Sequence, residues 1–169
     1  MASSEQKVVH IRRNVQDYGD PYLNREKPEE ISVCRECKCV YAGDRWQLES
    51  QAAKLLKNAK KIIYTLCPAC QKIHDRMPGG IVNISGNFVK NHEQDIVNLL
   101  NNENERAMTI NPIERIIDIE HSNDGLVVWT TNEKLAQRIG RQLYKAYRGE
   151  VEYHWSEDTK LARVYWRRD

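Results

Sequence analysis

The sequence predicts an α+β protein in which a small module with two cysteine pairs is followed by an α/β domain. Two Cys-x-x-Cys pairs lie in the first half of the chain, and from Gly79 onward the apolar residues alternate between strand and helix spacing. The composition, with 40% hydrophobic and 30% charged residues among 169, is typical of a globular protein with one domain or two small ones. We therefore expect a flexible arm at 1–32, a zinc-ribbon module at 33–80 and an α/β domain at 81–169.

Four of the five cysteines form the pairs Cys34–Cys37 and Cys67–Cys70, which 29 residues separate. A two-residue spacer lets both sulfurs of a pair face one point, and two such knuckles complete the tetrahedral four-thiolate set that suits zinc. The opening residues lack the apolar stretch of a secretory signal, which favours a reducing cytoplasm and a metal over disulfides. The sequence predicts one structural Zn²⁺ held by Cys34, Cys37, Cys67 and Cys70.

Two side chains near the knuckles leave alternatives open. Cys39 could replace Cys37 as a ligand, and His74, four residues after Cys70, could substitute for a cysteine. A thiol redox enzyme using Cys67 and Cys70 is the alternative chemistry, because a predicted strand precedes this pair and a predicted helix follows it. The first pair has no role in such an enzyme, and four cysteines leave a zinc ion no open catalytic position. We therefore predict that the protein is not an enzyme.

The segment between the knuckles predicts a helical insertion. Apolar residues recur at helical spacing from Leu48 to Ile63, and residues 62–66 are typical of a short strand leading to the second knuckle. The polar side of the predicted helix carries lysines, which are Lys54, Lys57, Lys60 and Lys61.

The rest of the chain predicts the order β-α-β-β-α-β with an extra strand, which matches the ferredoxin-like plan. The predicted strands are 81–88, 115–120, 126–130, 150–156 and 161–167, and the predicted helices are 92–108 and 131–147. The aromatic residues of the last hairpin, Tyr153, Trp155 and Tyr165, could stack bases on an open sheet. Aromatic residues are more often part of a core, and we expect burial for Tyr153 and Trp155.

The net charge of +2 conceals a segregation of charge along the chain. Residues 34–92 carry 10 basic and 4 acidic side chains, whereas residues 93–131 carry 2 basic and 8 acidic ones. The basic part predicts an anionic partner, and the acidic 93–124 segment could dock a protein. No apolar run approaches the length of a membrane span, so no membrane partner is expected.

A regular basic stripe on the last predicted helix indicates RNA. Its members are Lys134, Arg138, Arg141, Lys145 and Arg148, at spacings of four, three, four and three residues. Such spacing places all five side chains on one side of a helix, where cations can neutralise successive phosphates. A solvated helix face is the alternative interpretation.

Several blocks carry a resemblance to a known group. They are Cys67-Pro68-Ala69-Cys70 with Gly79-Gly80-Ile81 and Ser85-Gly86-x-Phe88, then Asn111-Pro112-Ile113-Glu114-Arg115-Ile116, then Leu135-Ala136-x-Arg138-Ile139-Gly140 with Ala146-Tyr147-x-Gly149. From Val33 to the C-terminus the chain resembles short bacterial zinc-ribbon proteins, whose zinc module is similar to that of the archaeal and eukaryotic large-ribosomal-subunit export adaptors. The resemblance implies Cys34, Cys37, Cys67 and Cys70 as ligands and, more loosely, a ribosomal or RNA partner.

We therefore predict a cytoplasmic bacterial protein that binds structured RNA, on the ribosome, through the lysines of the zinc module and the 134–148 stripe. The alternative is a protein–protein adaptor that uses the acidic 93–124 segment and the zinc ribbon as docking faces.

Overall fold

The computed structural model of the chain describes residues 31–156 and 158–169. The flexible arm predicted for 1–32 lies, except for its last two residues, outside this range. Within the described residues, two mixed β-sheets and four α-helices make up an α+β protein, as predicted. We call residues 31–79 the cysteine module and residues 80–169 the α/β domain.

The cysteine module is built on a small four-stranded sheet. Its elements are β1 (Ile31–Cys34), β2 (Val40–Ala42), β3 (Arg45–Gln47), α1 (Ala53–Lys57), β4 (Ile62–Thr65) and α2 (Pro68–Asp75). The strand order is β3-β2-β1-β4, with β1 antiparallel to β2 and parallel to β4. The helical insertion is present but shorter than the helical spacing of residues 48–63 suggests, since α1 covers only Ala53–Lys57. The residues before α1 form a turn, in which Ala52 N–H donates to Leu48 O at 3.1 Å.

The α/β domain is built on a five-stranded sheet with the order β6-β7-β5-β9-β8. Its elements are β5 (Gly80–Ser85), α3 (Asn87–Ile110), β6 (Ile116–Ser122), β7 (Gly125–Thr130), α4 (Glu133–Tyr147), β8 (Glu150–Trp155) and β9 (Ala162–Arg167). The strand predicted over 81–88 ends at Ser85, and Asn87 begins a short helical segment. A kink at His92 (φ −129°) separates this segment from the longer part of α3, which contains the helix predicted over 92–108 and ends at Ile110. Gly86 makes this early turn at φ 107°, where a Cβ would clash with the backbone carbonyl of Arg168.

The position of the extra strand departs from the ferredoxin-like plan. In that plan the strand after the second helix pairs antiparallel with the first strand, because each helical crossover joins parallel strands. Here β8 follows α4 but lies at the sheet edge, and β9 occupies the place next to β5 and runs parallel to it. The element order was predicted, whereas this pairing was not.

Both long helices cover one face of the sheet. Strands β5, β7 and β9 place alternate residues under the helices, as their alternating burial shows. The amphipathic α4 buries Leu135, Ile139 and Leu143 against them. Tyr153 is buried and Trp155 partly buried beside this core, as expected from the sequence.

Gly140 lets α4 approach β9 closely. A Cβ at this position would lie 2.7 Å from Val164 Cγ1 and 3.1 Å from Tyr153 Oη. Alanine is the better helix former by about 1 kcal/mol, but overpacking a core costs about 1–3 kcal/mol, and Val164 is β-branched and stiff. We expect Gly140→Ala to lower the free energy of unfolding in urea. The control Gln137→Ala, on a partly exposed face, should leave it unchanged or raise it slightly.

Candidate metal centre

The parallel pairing of β1 with β4 brings the two knuckles together. Cys34 ends β1 and is in register with Thr65 of β4, which leads directly to Cys67 at the N-cap of α2. The Sγ atoms of Cys34, Cys37, Cys67 and Cys70 all lie within 4.8 Å of one another. The structure therefore assembles the four cysteines that the sequence predicted as ligands.

The sulfur cluster has the dimensions of a tetrahedral metal site. Zn–S bonds of about 2.3 Å at tetrahedral angles place sulfurs about 3.8 Å apart. The Cys37 and Cys67 sulfurs are 3.6 Å apart. Cys34, Cys67 and Cys70 are buried, and no disulfide joins the described cysteines. The donor set fits a thiophilic ion with four thiolate ligands.

Backbone amides already point at the sulfurs. Cys67 N–H donates to Cys34 Sγ at 3.3 Å, and Cys70 N–H, in the first turn of α2, donates to Cys67 Sγ at 3.4 Å. The first knuckle is closed by Lys38, which adopts φ 64° and donates its N–H to Cys34 O at 3.1 Å. Amide donors and a helix N-terminus both favour the thiolate over the thiol.

Arg115 reaches the cluster from the α/β domain. Its Nη2 donates to Cys37 Sγ at 3.0 Å and to Cys67 Sγ at 3.4 Å, and its Nη1 donates to Cys70 Sγ at 3.5 Å. The residue is only 8% exposed, and no carboxylate among the described residues pairs with it. A guanidinium buried in this way needs a counter-charge, so the sulfurs must carry negative charge.

The sulfurs cannot all ionise on their own. Hydrogen bonds from Cys39 and Cys67, aided by the charge of Arg115, hold the pKa of the Cys37 thiol well below its usual range. Burial, together with the nearby Cys67, raises the pKa of Cys70. Burial would lower the pKa of Arg115, but the Cys37 thiolate outweighs it and raises the pKa. A divalent cation would remove the mutual repulsion that keeps the remaining thiols protonated.

The two alternative ligands suggested by the sequence, Cys39 and His74, lie in different surroundings. Cys39 is buried, with its sulfur 3.1 Å from Cys37 Sγ, but it does not belong to the set of four mutually close sulfurs. His74 is engaged elsewhere, since its Nε2 lies 2.6 Å from Glu36 Oε1 on the exposed surface. The hydrogen bond to Glu36 raises the pKa of His74.

The cations predicted to bind RNA differ in availability. Lys54, Lys57, Lys60 and Lys61 are exposed, and so are Lys134, Arg141, Lys145 and Arg148. Arg138 is the exception: its side chain is 26% exposed and lies 3.7 Å from a Glu103 carboxylate oxygen and 3.6 Å from one of Glu114. Arg138 is therefore occupied inside the fold.

The face of the large sheet that the helices leave uncovered carries both charges. Alternation along β9 places Arg163, Tyr165 and Arg167 there, because Val164 and Trp166 are buried on the other side. In register with these residues on the outer strands are carboxylates, which are Asp118, Glu120, Glu150 and Glu152. A face of mixed charge does not favour a polyanion over a solvated surface.

The acidic 93–124 segment is largely engaged within the protein. Glu103 and Glu114 face Arg138, and Glu103 also pairs with Arg106 at 3.1 Å. Asp118 and Glu120 both pair with Arg76, at 3.4 and 2.6 Å. The segregation of charge in the sequence thus becomes pairing across elements in the fold.

The sequence alone predicts no role for Arg115 beyond the start of a strand. The sequence does contain one signal that sets Arg115 apart, since it is one of 2 cations among the 39 residues of the acidic stretch 93–131. Nothing local, however, shows that this cation lies against a cysteine 45 residues away in the chain.

No family model matches the chain, and no curated protein matches it. No helix in the described part of the chain has both the length and the apolar character needed to cross a membrane.

Proposed function

We propose that this chain is a zinc-stabilised RNA-binding protein of the cytoplasm, with no catalytic activity of its own. One Zn²⁺, held by Cys34, Cys37, Cys67 and Cys70 in a module of the zinc-ribbon type, would join the turn after β1 to the start of α2. Four thiolates fill all four positions of a tetrahedral ion, which supports a structural role. A small module gains much of its folding free energy from such an ion.

The observation that carries the RNA proposal is a row of exposed cations on the solvent-facing side of α4. Lys134, Arg141 and Lys145 are exposed, and none of them forms an ion pair with another described residue. The helix itself is fixed, because its opposite face is buried and Asn132 Oδ1 caps it by accepting from Leu135 N–H at 3.0 Å. A rigid row of unpaired cations suits the phosphate backbone of RNA.

The test is the salt dependence of RNA binding. The variant Lys134→Gln/Arg141→Gln/Lys145→Gln should keep the fold and flatten the slope of log affinity against log salt by about two to three, close to one per lost phosphate contact. Deproteinised ribosomal RNA is a suitable structured ligand. Affinity should depend little on base sequence, since phosphates carry no sequence information.

The matched control is Arg163→Gln/Arg167→Gln on the uncovered sheet face, where carboxylates accompany the cations. This control should leave the slope unchanged. An unchanged slope in the α4 variant would show that the exposed cations of α4 do not contact RNA. A flatter slope in the control alone would show that RNA binds to the uncovered face of the sheet instead.

The ribosome is the RNA partner we propose, on the resemblance of the knuckle sequences to those of the export adaptors. Tagged protein in a cell lysate should sediment with ribosomal subunits on a sucrose gradient. It should leave them at high salt, and the α4 variant should leave them at lower salt than the parent protein.

A protein–protein adaptor is the second candidate, and one observation favours it. Large apolar side chains are exposed on the edge strand β4 and directly after it, which are Ile63, Tyr64 and Leu66. An exposed edge strand with apolar neighbours can accept a strand from another protein. The redox alternative is less supported, because Cys67 and Cys70 are buried and face Arg115.

A further inference from the structure

We propose that Arg115 is a positioning residue of the metal centre, which it stabilises from the α/β domain, so that retention of the ion depends on the docking of the cysteine module against that domain. This inference rests on the metal site proposed above. It assigns a role to a residue outside both knuckles and makes the two parts of the chain one functional unit.

The contacts of Arg115 span both knuckles. Its Nη2 donates to Cys37 of the first knuckle, at 3.0 Å, and to Cys67 of the second, at 3.4 Å. Its Nη1 donates to Cys70 at 3.5 Å. The planar guanidinium presents several N–H groups in a fixed fork, which a lysine ammonium cannot reproduce.

The α/β domain holds this side chain in place. Arg115 Nε donates to Pro112 O at 2.6 Å, and Arg115 N–H donates to Thr131 Oγ1 at 2.9 Å. Thr131 N–H returns a hydrogen bond to Arg115 O at 2.8 Å. From the cysteine module, the buried Lys72 Nζ donates to Thr131 O at 2.8 Å. Thr131 therefore bonds both to Arg115 and to a residue of the cysteine module.

Charge explains why this contact matters. Four thiolates and one divalent ion carry a net charge of about −2, and burying that charge is unfavourable unless a cation or hydrogen bonds compensate it. Arg115 supplies a positive charge and three N–H···S contacts. Residues that support metal ligands in this way typically affect affinity by about 10–100-fold.

The experiment measures zinc affinity in the full-length chain by competition with a chromophoric chelator. Arg115→Met, which keeps the side-chain bulk and loses the charge, should weaken zinc binding by about 10–100-fold. Arg115→Lys keeps the charge but loses the forked arrangement of N–H donors, so its zinc affinity should lie between those of the parent protein and Arg115→Met. Arg106→Met is the control, because Arg106 is an exposed cation of the same acidic stretch that pairs with Glu103. It should bind zinc as the parent protein does.

A second readout separates a contact with sulfur from general destabilisation. In protein loaded with Co²⁺, the thiolate-to-cobalt charge-transfer band should move to lower energy in Arg115→Met, because a thiolate that loses N–H donors gives up electrons more readily. Arg106→Met should leave the band in place. Circular dichroism checks that each variant is folded, and if Arg115→Met does not fold, Arg115→Lys carries both measurements.

Parent-like zinc affinity and an unmoved band in the folded Arg115 variants would overturn this inference and leave the metal site intact. A parent protein that binds neither zinc nor cobalt would instead overturn the proposed function itself.

Discussion

Serine in place of Cys67 is expected to abolish zinc binding and to destabilise the cysteine module by several kcal/mol. Cys67 is fully buried, caps α2 and receives N–H donors from both Cys70 and Arg115. A serine hydroxyl at that place is a poor ligand for zinc, and the free energy of metal binding in such a module is also free energy of folding. Thermal unfolding with and without a chelator measures the loss.

Cys39→Ser is the matched control for this result. Cys39 is as well buried as the ligands and lies 3.1 Å from Cys37 Sγ, so the same chemical change is made beside the site rather than in it. It should retain one zinc and most of the stability. Loss of zinc in Cys39→Ser, with retention in Cys37→Ser, would show that Cys39 is the ligand of the first knuckle.

Alanine in place of Trp166 is expected to lower the stability of the α/β domain by about 3–5 kcal/mol, the usual cost of truncating a large buried aromatic side chain. Trp166 is fully buried on β9, and its Nε1 donates to Arg148 O at 2.8 Å. Its ring also meets Phe88 and Tyr147 edge-on, with centroids 6.2 and 6.5 Å away. Urea unfolding measures the change.

The neighbouring residue provides the control. Tyr165 is 43% exposed on the opposite face of the same strand, so Tyr165→Ala should cost far less. Trp166→Phe should fall between the two, because it keeps an aromatic ring and loses the hydrogen bond. Equal losses from Tyr165→Ala and Trp166→Ala would contradict the face assigned to each residue of β9.

The elements that the sequence predicted best are those whose signal is local. The two Cys-x-x-Cys pairs define their own turns, and the alternation along β5 and β7 follows from burial of one sheet face. The sequence predicts the part of α3 that follows the kink at His92 but not the short helical segment before it, because the pattern of Asn87 and Phe88 suits a strand or a helix. The backbone at Gly86 decides between them, through an approach of the distant Arg168.

Long-range pairing accounts for what the sequence did not reveal. The last hairpin, β8–β9, can pair with β5 through either of its strands, and the local sequence is compatible with both arrangements. In the structure it is β9 that lies next to β5. Arg138 lies in a basic stripe by spacing alone, yet it faces Glu103 and Glu114, which come from other elements. Arg115 was missed for the same reason, since its sulfur partners belong to the other part of the chain.

X-ray absorption at the zinc K edge, on protein purified without added metal and of known zinc content, identifies the atoms bound to the ion. We expect one zinc per chain, bound by four sulfurs at about 2.3 Å and by no lighter atom. Nitrogen or oxygen among the bound atoms, or protein that contains no zinc, would show that Cys34, Cys37, Cys67 and Cys70 do not form a four-thiolate zinc site.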